Sequence, residues 1–441
     1  MAELTSEVTD LGDLGQPLIQ RTSVAAATWA LFVGLALVMV GNGLNGSVVG
    51  VRSDAAGFDA AIISVIMAAY FAGFLAGTVY AERALKSVGH IRVFAALASV
   101  ASSVVLLQAI SVTAPTWIMT RFFFGACMAG IYVVVESWLN DLATNTTRGR
   151  ILSVYMIVTM GGVGAGQLLL NVNDSSGFTL FIIISVLVSM SLVPVTLSAS
   201  SAPPLVTPES MGLRILIQRV PTGVVSSFFC GAGAGALLGM GAVYGSRVEM
   251  QPGRLSLFLV APMIGALLFQ WPIGWLSDKL PRRSVLFGVA IAAALAPLVA
   301  LAVPARSPFA LVAMALLGGS LFPFYSLTIA YANDWLEAKE ILSASGTLVR
   351  INGTGAVTGP LLTGSLMSAF GPRFFFWSIS AIFGAAAVFI LGRILSKDPL
   401  PQERQRRYAP IPVRALSGAA NLIPRRHRNE AGIPTGKLVN E

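Results

Sequence analysis

Charge is what this 441-residue sequence has least of. Asp, Glu, Lys and Arg make up only 11% of it, against 55% hydrophobic residues, where an average soluble domain carries roughly 25% charged residues. A soluble chain of this length could not hide so much apolar surface behind so thin a charged shell. Lipid solvates such a surface directly, so the composition, with a mean hydropathy of +0.77, is that of a membrane protein. Histidine and cysteine are almost missing, with two of each: His90, His427, Cys127 and Cys230. Both cysteines sit inside apolar stretches without metal-ligand spacing, which excludes a disulfide framework and leaves them as small buried hydrophobes. The same scarcity excludes the clustered nucleophile, metal or acid–base set of a membrane enzyme. No phosphate-cradling glycine loop is present, which argues against ATP as a driver. No cofactor and no metal are expected. A basic leader is missing too: residues 1–23 hold Glu3, Glu7, Asp10 and Asp13 against Arg21 alone. That pattern excludes a cleavable signal peptide and keeps the first span in the mature chain.

What the sequence does have is long apolar runs. A spanning helix needs about 20 mainly apolar residues. Twelve runs satisfy this, near 24–46, 59–81, 92–111, 115–138, 150–171 and 176–197, then 222–245, 255–276, 285–303, 308–332, 343–368 and 374–394. The 44 glycines and 23 prolines agree, since both are commoner in membrane helices than in soluble ones. The break at 198–221 carries Pro and Ser and then a short amphipathic piece, and reads as a linker between six-helix halves. The expected organisation is an N-terminal segment 1–23, bundles at 24–197 and 222–395 joined by the linker 198–221, and a basic tail 396–441. The predicted fold is therefore all-α, with twelve transmembrane helices in two pseudo-symmetric bundles.

The net charge of +9 raises the question of a nucleic-acid partner. Ten of the 29 Lys and Arg residues fall in the tail from Arg393 onward, and most others occupy short connections. That distribution is membrane topology, not a basic face for phosphates, so nucleic acid is excluded. With the N-terminus inside, cytoplasmic segments carry 22 basic residues and exterior loops five. Both chain ends are then cytoplasmic, as the positive-inside rule requires. The tail is expected to be a disordered segment held near anionic lipid by its charge.

Internal symmetry supports the two halves. The stretch GTVYAERALKSVGHIRVF from Gly77 parallels GWLSDKLPRRSVLF from Gly274. Helices 4 and 10 both close on Asn-Asp, at Asn140-Asp141 and Asn333-Asp334, and the next helices open with Ile151-Leu152-Ser153 and Ile341-Leu342-Ser343. Parallel repeats of this kind build the halves of one transporter superfamily.

On these residues the chain resembles the major facilitator superfamily over about residues 24 to 395. The family's G-x-L-x-D-R/K-x-G-R-R/K loop is matched by Gly274, Leu276, Asp278, Lys279, Arg282 and Arg283, and more loosely by Gly77, Arg83, Lys86 and Arg92, with Ala81 in place of the Asp and Glu82 after it. By that resemblance the loop is a conformational latch. Its carboxylate, Asp278, caps a neighbouring helix N-terminus, and its arginines pair with carboxylates in the same half. Glu136 and Asp141 are the candidates for Arg83, and Asp334 for Arg282 or Arg283; a basic loop that only sets topology is the alternative. Arg121 followed by Gly125 matches the family's helix-4 arginine, which points to a cavity or coupling role against simple snorkelling. The glycines of helix 5 (Gly161, Gly162, Gly164, Gly166) and helix 11 (Gly353, Gly355, Gly359, Gly364) read as packing. GHIR at Gly89–Arg92 with ESWLN at Glu136–Asn140 resembles the YcaD-like branch of the superfamily.

The resemblance implies a secondary transporter with a cavity lined by helices 1, 4, 7 and 10. Polar residues at depth are the candidates for it: Asn42, Asn45, Arg121, Tyr132, Gln167, Tyr244, Gln270, Tyr325 and Arg350, each weighed against a plain interhelical hydrogen bond. Arg121 and Arg350 are expected to give the cavity a net positive potential suited to an organic anion. Proton coupling follows from the resemblance, with Glu136 as the protonatable candidate. The expected partners are a small-molecule substrate, protons and membrane lipid, in a monomer of the cell membrane. The alternatives are a drug or metabolite efflux antiporter and a non-transporting sensor of the same fold.

Overall fold

The computed structural model describes residues 18–144, 147–173, 177–197, 211–304, 307–337 and 340–396, together with 405 and 408. The expectations for residues 1–17, for most of the linker and for nearly all of the tail lie outside the described residues.

Twelve long helices account for the described chain. They are α1 (Leu18–Ala55), α2 (Ala60–Val88), α3 (His90–Ile110), α4 (Ala114–Leu142), α5 (Arg148–Asn171) and α6 (Thr179–Thr196), then α7 (Pro221–Arg247), α8 (Pro252–Lys279), α9 (Arg282–Ala302), α10 (Pro308–Asp334), α11 (Ile341–Phe370) and α12 (Phe374–Ser396). Eleven are long and apolar enough to cross a membrane, α11 being the exception. At 30 residues α11 is long enough, but it spends its length on Gly, Ser, Thr, Asn and Arg350 because most of it is turned toward other helices. The amphipathic piece of the linker forms a short helix, Leu213–Arg219, before Pro221 opens α7. Backbone helix starts at Leu18, earlier than the expected 24.

Starts and stops follow local chemistry. Asp59 caps α2 by accepting from the Ala61 N–H at 2.7 Å, and Ser307 caps α10 through Phe309. Proline opens α7, α8 and α10 near their first positions, where a missing N–H costs nothing. Gly89, at φ +91°, makes the turn from α2 into α3.

Two bundles of six repeat the same pairing. In the first half α1 packs on α5 and α6, α2 on α4, and α3 on α4 and α6; in the second α7 packs on α11 and α12, α8 on α10, and α9 on α10 and α12. Glycine sets the closest of these approaches. A Cβ on Gly355 or Gly359 would run into the carbonyl oxygens of Phe228 or Ala232 across the α7–α11 seam, and one on Gly166 or Gly43 into those of Val40 or Val163 across α1–α5. Gly166 of helix 5 and Gly355 and Gly359 of helix 11 are thus packing residues, as expected, whereas Gly161 packs on nothing within 4 Å.

The same close contacts correct the repeat register. Gly73 against Phe122 in the first half corresponds to Gly265 against Ala315 in the second, and Gly125 against Tyr70 to Gly318 against Pro262. Gly77 therefore lies within α2, facing Ala126, and is not the counterpart of Gly274; the connection proper starts at Gly89. Glycines recur along both helices, so a string match can slide by several residues while the backbone contacts cannot.

The halves meet at one end. Asp54 on α1 accepts from Arg247 Nε at 2.9 Å and Ser246 Oγ at 2.6 Å on α7, and Arg247 also reaches the Phe58 carbonyl at 3.2 Å. Asn171 of α5 donates to Ser256 of α8 at 3.0 Å. Ser64 and Ala60 of α2 lie against Gly364 of α11. Contacts between halves continue inward as far as Leu75 against Gly353. Past that depth, a Cβ on Gly346 would meet nothing within 4 Å, and Val79 and Arg350 are exposed. The cleft between the halves opens toward the other end, which carries Arg83, Lys279 and Arg282.

Replacing Gly125 by Ala should force α2 and α4 apart, at a cost of about 1–3 kcal/mol for an overpacked contact. Gly161→Ala should be neutral. Melting of the two purified variants in detergent tests this, and equal melting temperatures would contradict the backbone contact between α4 and Tyr70.

Candidate functional site

Arg121 is the most costly residue to place. It lies seven residues into α4, about 10 Å along the axis from the closed end at 1.5 Å per residue, and its surface is 3% exposed. A charge at such depth must be solvated by protein. Nη1 donates to Asn45 Oδ1 at 2.6 Å, Nη2 points at the Met67 sulfur at 3.7 Å, and the guanidinium stacks on the Tyr70 ring at 4.6 Å. Asn45 passes the bond on to Gln108 Oε1 at 2.9 Å, and Trp117 Nε1 holds the Gln108 carbonyl at 3.0 Å. Four helices thus converge on one buried polar node. Met67 also faces Gly50 and Gly239 of α7, so the node abuts the seam between the halves. Gln108, Met67 and Tyr70 were missed in the sequence: the outer helix α3 and the apolar run of α2 gave no reason to suspect them.

Asn42 lies one turn before Asn45 on α1. It is buried, and its amide nitrogen has no acceptor among the described residues. Gln167 accepts from Ser47, tying α5 to α1.

A second polar pair sits near the open end. Glu136 of α4 is fully buried and accepts from the Tyr155 hydroxyl of α5 at 2.6 Å. Tyr132, one turn earlier, points its hydroxyl at the Met39 sulfur at 3.0 Å. Glu136 is therefore not the partner of Arg83, because it faces into the bundle from the wrong side of α4. Arg83 is exposed, and no described residue pairs with it.

The other candidates do not join one cavity. Tyr244 lies near the closed end of α7, stacked on Phe375 at 5.1 Å and edge-on to Phe376 at 4.8 Å; it is a packing residue. Tyr325 is buried in α10. Gln270 binds Ser326 at 3.1 Å and Tyr408. Arg350 is on an exposed face of α11, nine residues from the open end. Arg121 counts seven residues from the closed end, so some 20 Å of helix axis separates the two arginines. The expected pair of cavity cations is corrected to one buried arginine and one exposed one.

The latch loops differ between halves. In the second half Arg282, 1% exposed, donates to Asp334 at 2.6 Å, to the Ala330 carbonyl at 3.2 Å and to Ser277 at 2.9 Å. Arg283 bonds the Tyr331 hydroxyl at 3.0 Å and the Arg393 carbonyl at 3.0 Å. The expected Arg282–Asp334 pair is present. Asp278, expected to cap a helix, instead accepts the Tyr408 N–H at 2.8 Å and lies 3.4 Å from Arg282. In the first half His90 takes the arginine's place: its Nε2 meets Ser137 Oγ at 3.1 Å and its ring lies edge-on to Trp138 at 5.8 Å. Asp141 is exposed there. The GHIR and ESWLN stretches are thus one packed unit, a neutral counterpart of the ionic latch.

At the closed end, the Asp59 carboxyl is held below its ordinary value by the Ser368 hydroxyl first and then by the Ala61 N–H. Its share of the closure is present above the ordinary 3.8 and is lost only as pH falls below that.

Comparison with known proteins agrees with this arrangement. A family model described as Major Facilitator Superfamily matches residues 222–429. The chain is 27% identical over 341 residues to an uncharacterised MFS-type transporter of Yersinia enterocolitica serotype O:8, covering 76% of this chain and 87% of that one. It is 24% identical over 322 residues to the uncharacterised MFS-type transporter YcaD of Escherichia coli O139:H28, covering 73% and 83%. Among solved structures, the nucleoside transporter NupG superposes with TM-score 0.68 at 12% identity, over 85% of this chain and 100% of that one. A bacterial homologue of the human lysosomal transporter Spinster, inward-facing and occupied, gives 0.66 at 13%, over 90% and 100%. Twelve helices in two like bundles make a multi-pass membrane protein with the fold of these transporters. The second half of the chain thus matches the Major Facilitator Superfamily model, and most of its length is similar to YcaD-like MFS-type transporters.

Asp334→Ala should cost about 3–5 kcal/mol by leaving Arg282 buried without its carboxylate, whereas exposed Asp141→Ala should stay within about 0.5 kcal/mol. Chemical denaturation in detergent reads both, and equal losses would contradict the asymmetry of the latches.

Proposed function

We propose that this protein is a secondary transporter of the bacterial inner membrane that moves a small solute, of which an organic anion is the class the site favours, by proton-coupled alternating access. One observation carries the reading: the halves are clasped at one end and open at the other, with the Arg121 node abutting the seam at the blind end of the cleft. The basic connections border the open end, so by the positive-inside rule this is a cytoplasm-facing state with both chain ends inside. In this reading the Asp54–Arg247 clasp, Asn171–Ser256 and the α2–α11 seam form the exterior gate, and rocking the halves exchanges it for closure by the latch loops.

Substrate recognition falls to Arg121 and Asn42. The guanidinium donates to the Asn45 amide, faces the Met67 sulfur and lies over the Tyr70 ring, and in this reading it attracts a carboxylate or similar group. The Asn42 amide offers a donor one turn away. Glu136 with Tyr155 is the proton site: a buried carboxyl that leans on a neutral hydroxyl donor changes protonation at little structural cost. The monomer contains both halves and needs no second chain, while lipid contacts its apolar exterior.

Reconstituted protein should exchange a metabolite anion in counterflow, and Arg121→Ala should weaken that substrate by about ten- to a hundredfold, the loss of one charge-assisted hydrogen bond. Exchange of cationic dyes in place of anions would favour efflux instead, and no exchange of either class would favour a sensor. Glu136→Gln should abolish accumulation driven by a pH gradient yet leave counterflow within about twofold. Gradient-driven accumulation surviving in that variant would remove Glu136 from the coupling.

A further inference from the structure

One contact at the cytoplasmic end of the second half is not needed for packing the twelve helices. Tyr408, well past the end of α12, is seated between α8 and α10. Gln270 Nε2 donates to its hydroxyl at 2.5 Å while also holding Ser326 Oγ at 3.1 Å. Its backbone N–H donates to the Asp278 carboxylate at 2.8 Å. A Cβ on Gly274 would come within 2.5 Å of its ring, so glycine makes the seat. Ring, hydroxyl and backbone are each recognised by a different group on the helices.

The first half shows why the seat exists. There α2 and α4 close directly on each other, and a Cβ on Gly130 would lie 3.5 Å from Ala81. Pro323 of α10 holds the position of Gly130, each ten residues before the terminal Asn of its helix, and α8 carries Pro262 and Pro272 within its length. Interior prolines remove ladder bonds and bend helices, which gives a physical reason for a groove between α8 and α10 at the level of Gly274, where the Tyr408 ring lies. Tyr408 fills it.

We infer that the α8–α10 groove is the docking site for the chain's own C-terminal segment, and that Tyr408 is a wedge holding α8 in its cytoplasm-open position. This rests on the alternating-access reading above. While the tail occupies it, Asp278 is engaged by the Tyr408 N–H and Arg282 is turned to Asp334, so the latch carboxylate is not available to a new partner in the closed state. Release of the wedge frees Asp278 and lets α8 move toward α5.

The test uses full-length protein in nanodiscs, spin-labelled at Ser153→Cys and Leu280→Cys, exposed sites at the cytoplasmic ends of α5 and α8. Native Cys127 and Cys230 are buried. Tyr408→Ala and, independently, Gly274→Ala should each raise the short-distance population about tenfold, the shift that one lost hydrogen bond with its ring contact produces. Tyr408→Phe, which keeps the ring, should shift it less. A synthetic peptide of residues 404–412 should restore the long distance in Tyr408→Ala and not in Gly274→Ala. Arg247→Ala, which breaks the exterior clasp, serves as the reference. If Arg247→Ala shortens the distance and both wedge variants match the parent, the wedge is overturned. If Arg247→Ala also leaves the distance unchanged, alternating access itself falls, and the wedge with it.

Discussion

Backbone-to-backbone contact between helices is the constraint from which the rest of the molecule is measured. Where Gly355 and Gly359 meet α7, and Gly166 and Gly43 join α1 to α5, two helices approach closer than any side chain would allow. Lipid supplies no hydrophobic drive between helices, so this dispersion contact and the hydrogen bonds around it hold each bundle together. Once the two seams are fixed, α2 with α4 and α8 with α10 take up matching positions, and the polar side chains of the inner helices have only one another to bind. The Arg121 node follows from that geometry. Four helices bring an arginine, two amides, a thioether and an aromatic face to one place because nothing else at that depth can solvate the charge.

Equivalent positions of the two bundles have been put to different uses. The second half holds the turn between α8 and α9 with a buried ion pair, Arg282–Asp334, and with Arg283 against Tyr331. The first half replaces both with His90 packed on Trp138. A buried pair is rigid, since opening it strands a charge in a dry setting, whereas an edge-on ring contact is worth about 0.5–1.5 kcal/mol and opens more readily. The second half also carries prolines inside α8 and α10, and Tyr408 lies between these helices. One bundle is closed by ions with Tyr408 seated beside them, and the other by His90 against Trp138 and Ser137.

Much of the architecture was legible before any coordinates. Twelve apolar runs, the Asn-Asp endings of helices 4 and 10 and the glycines of helices 5 and 11 reported the bundles correctly, because lipid demands long apolar helices and close seams demand glycine. The Arg282–Asp334 pair was also foreseen, since the loop motif and the end of helix 10 carry it in plain view. The pairing of Glu136 with Arg83 was not realised. Helical phase turns Glu136 inward to Tyr155, and a slip of a few residues in a repeat register suffices to hide that. The grouping of Arg121 with Arg350 failed for a similar reason: both lie within spans, but they are counted from opposite ends of the bilayer.

The sequence by itself determined a lipid-immersed, twelve-helix chain with internal repetition and one deeply placed arginine, because hydropathy, helix length and charge bias are properties of segments read singly. Only the tertiary structure decided which polar groups share a node, which face of α4 carries its carboxylate, which end of the cleft is closed and where Tyr408 rests. Those outcomes depend on the rotation and axial offset of each helix against its neighbours. That offset is fixed by backbone contacts at a few glycines, and no single segment encodes it.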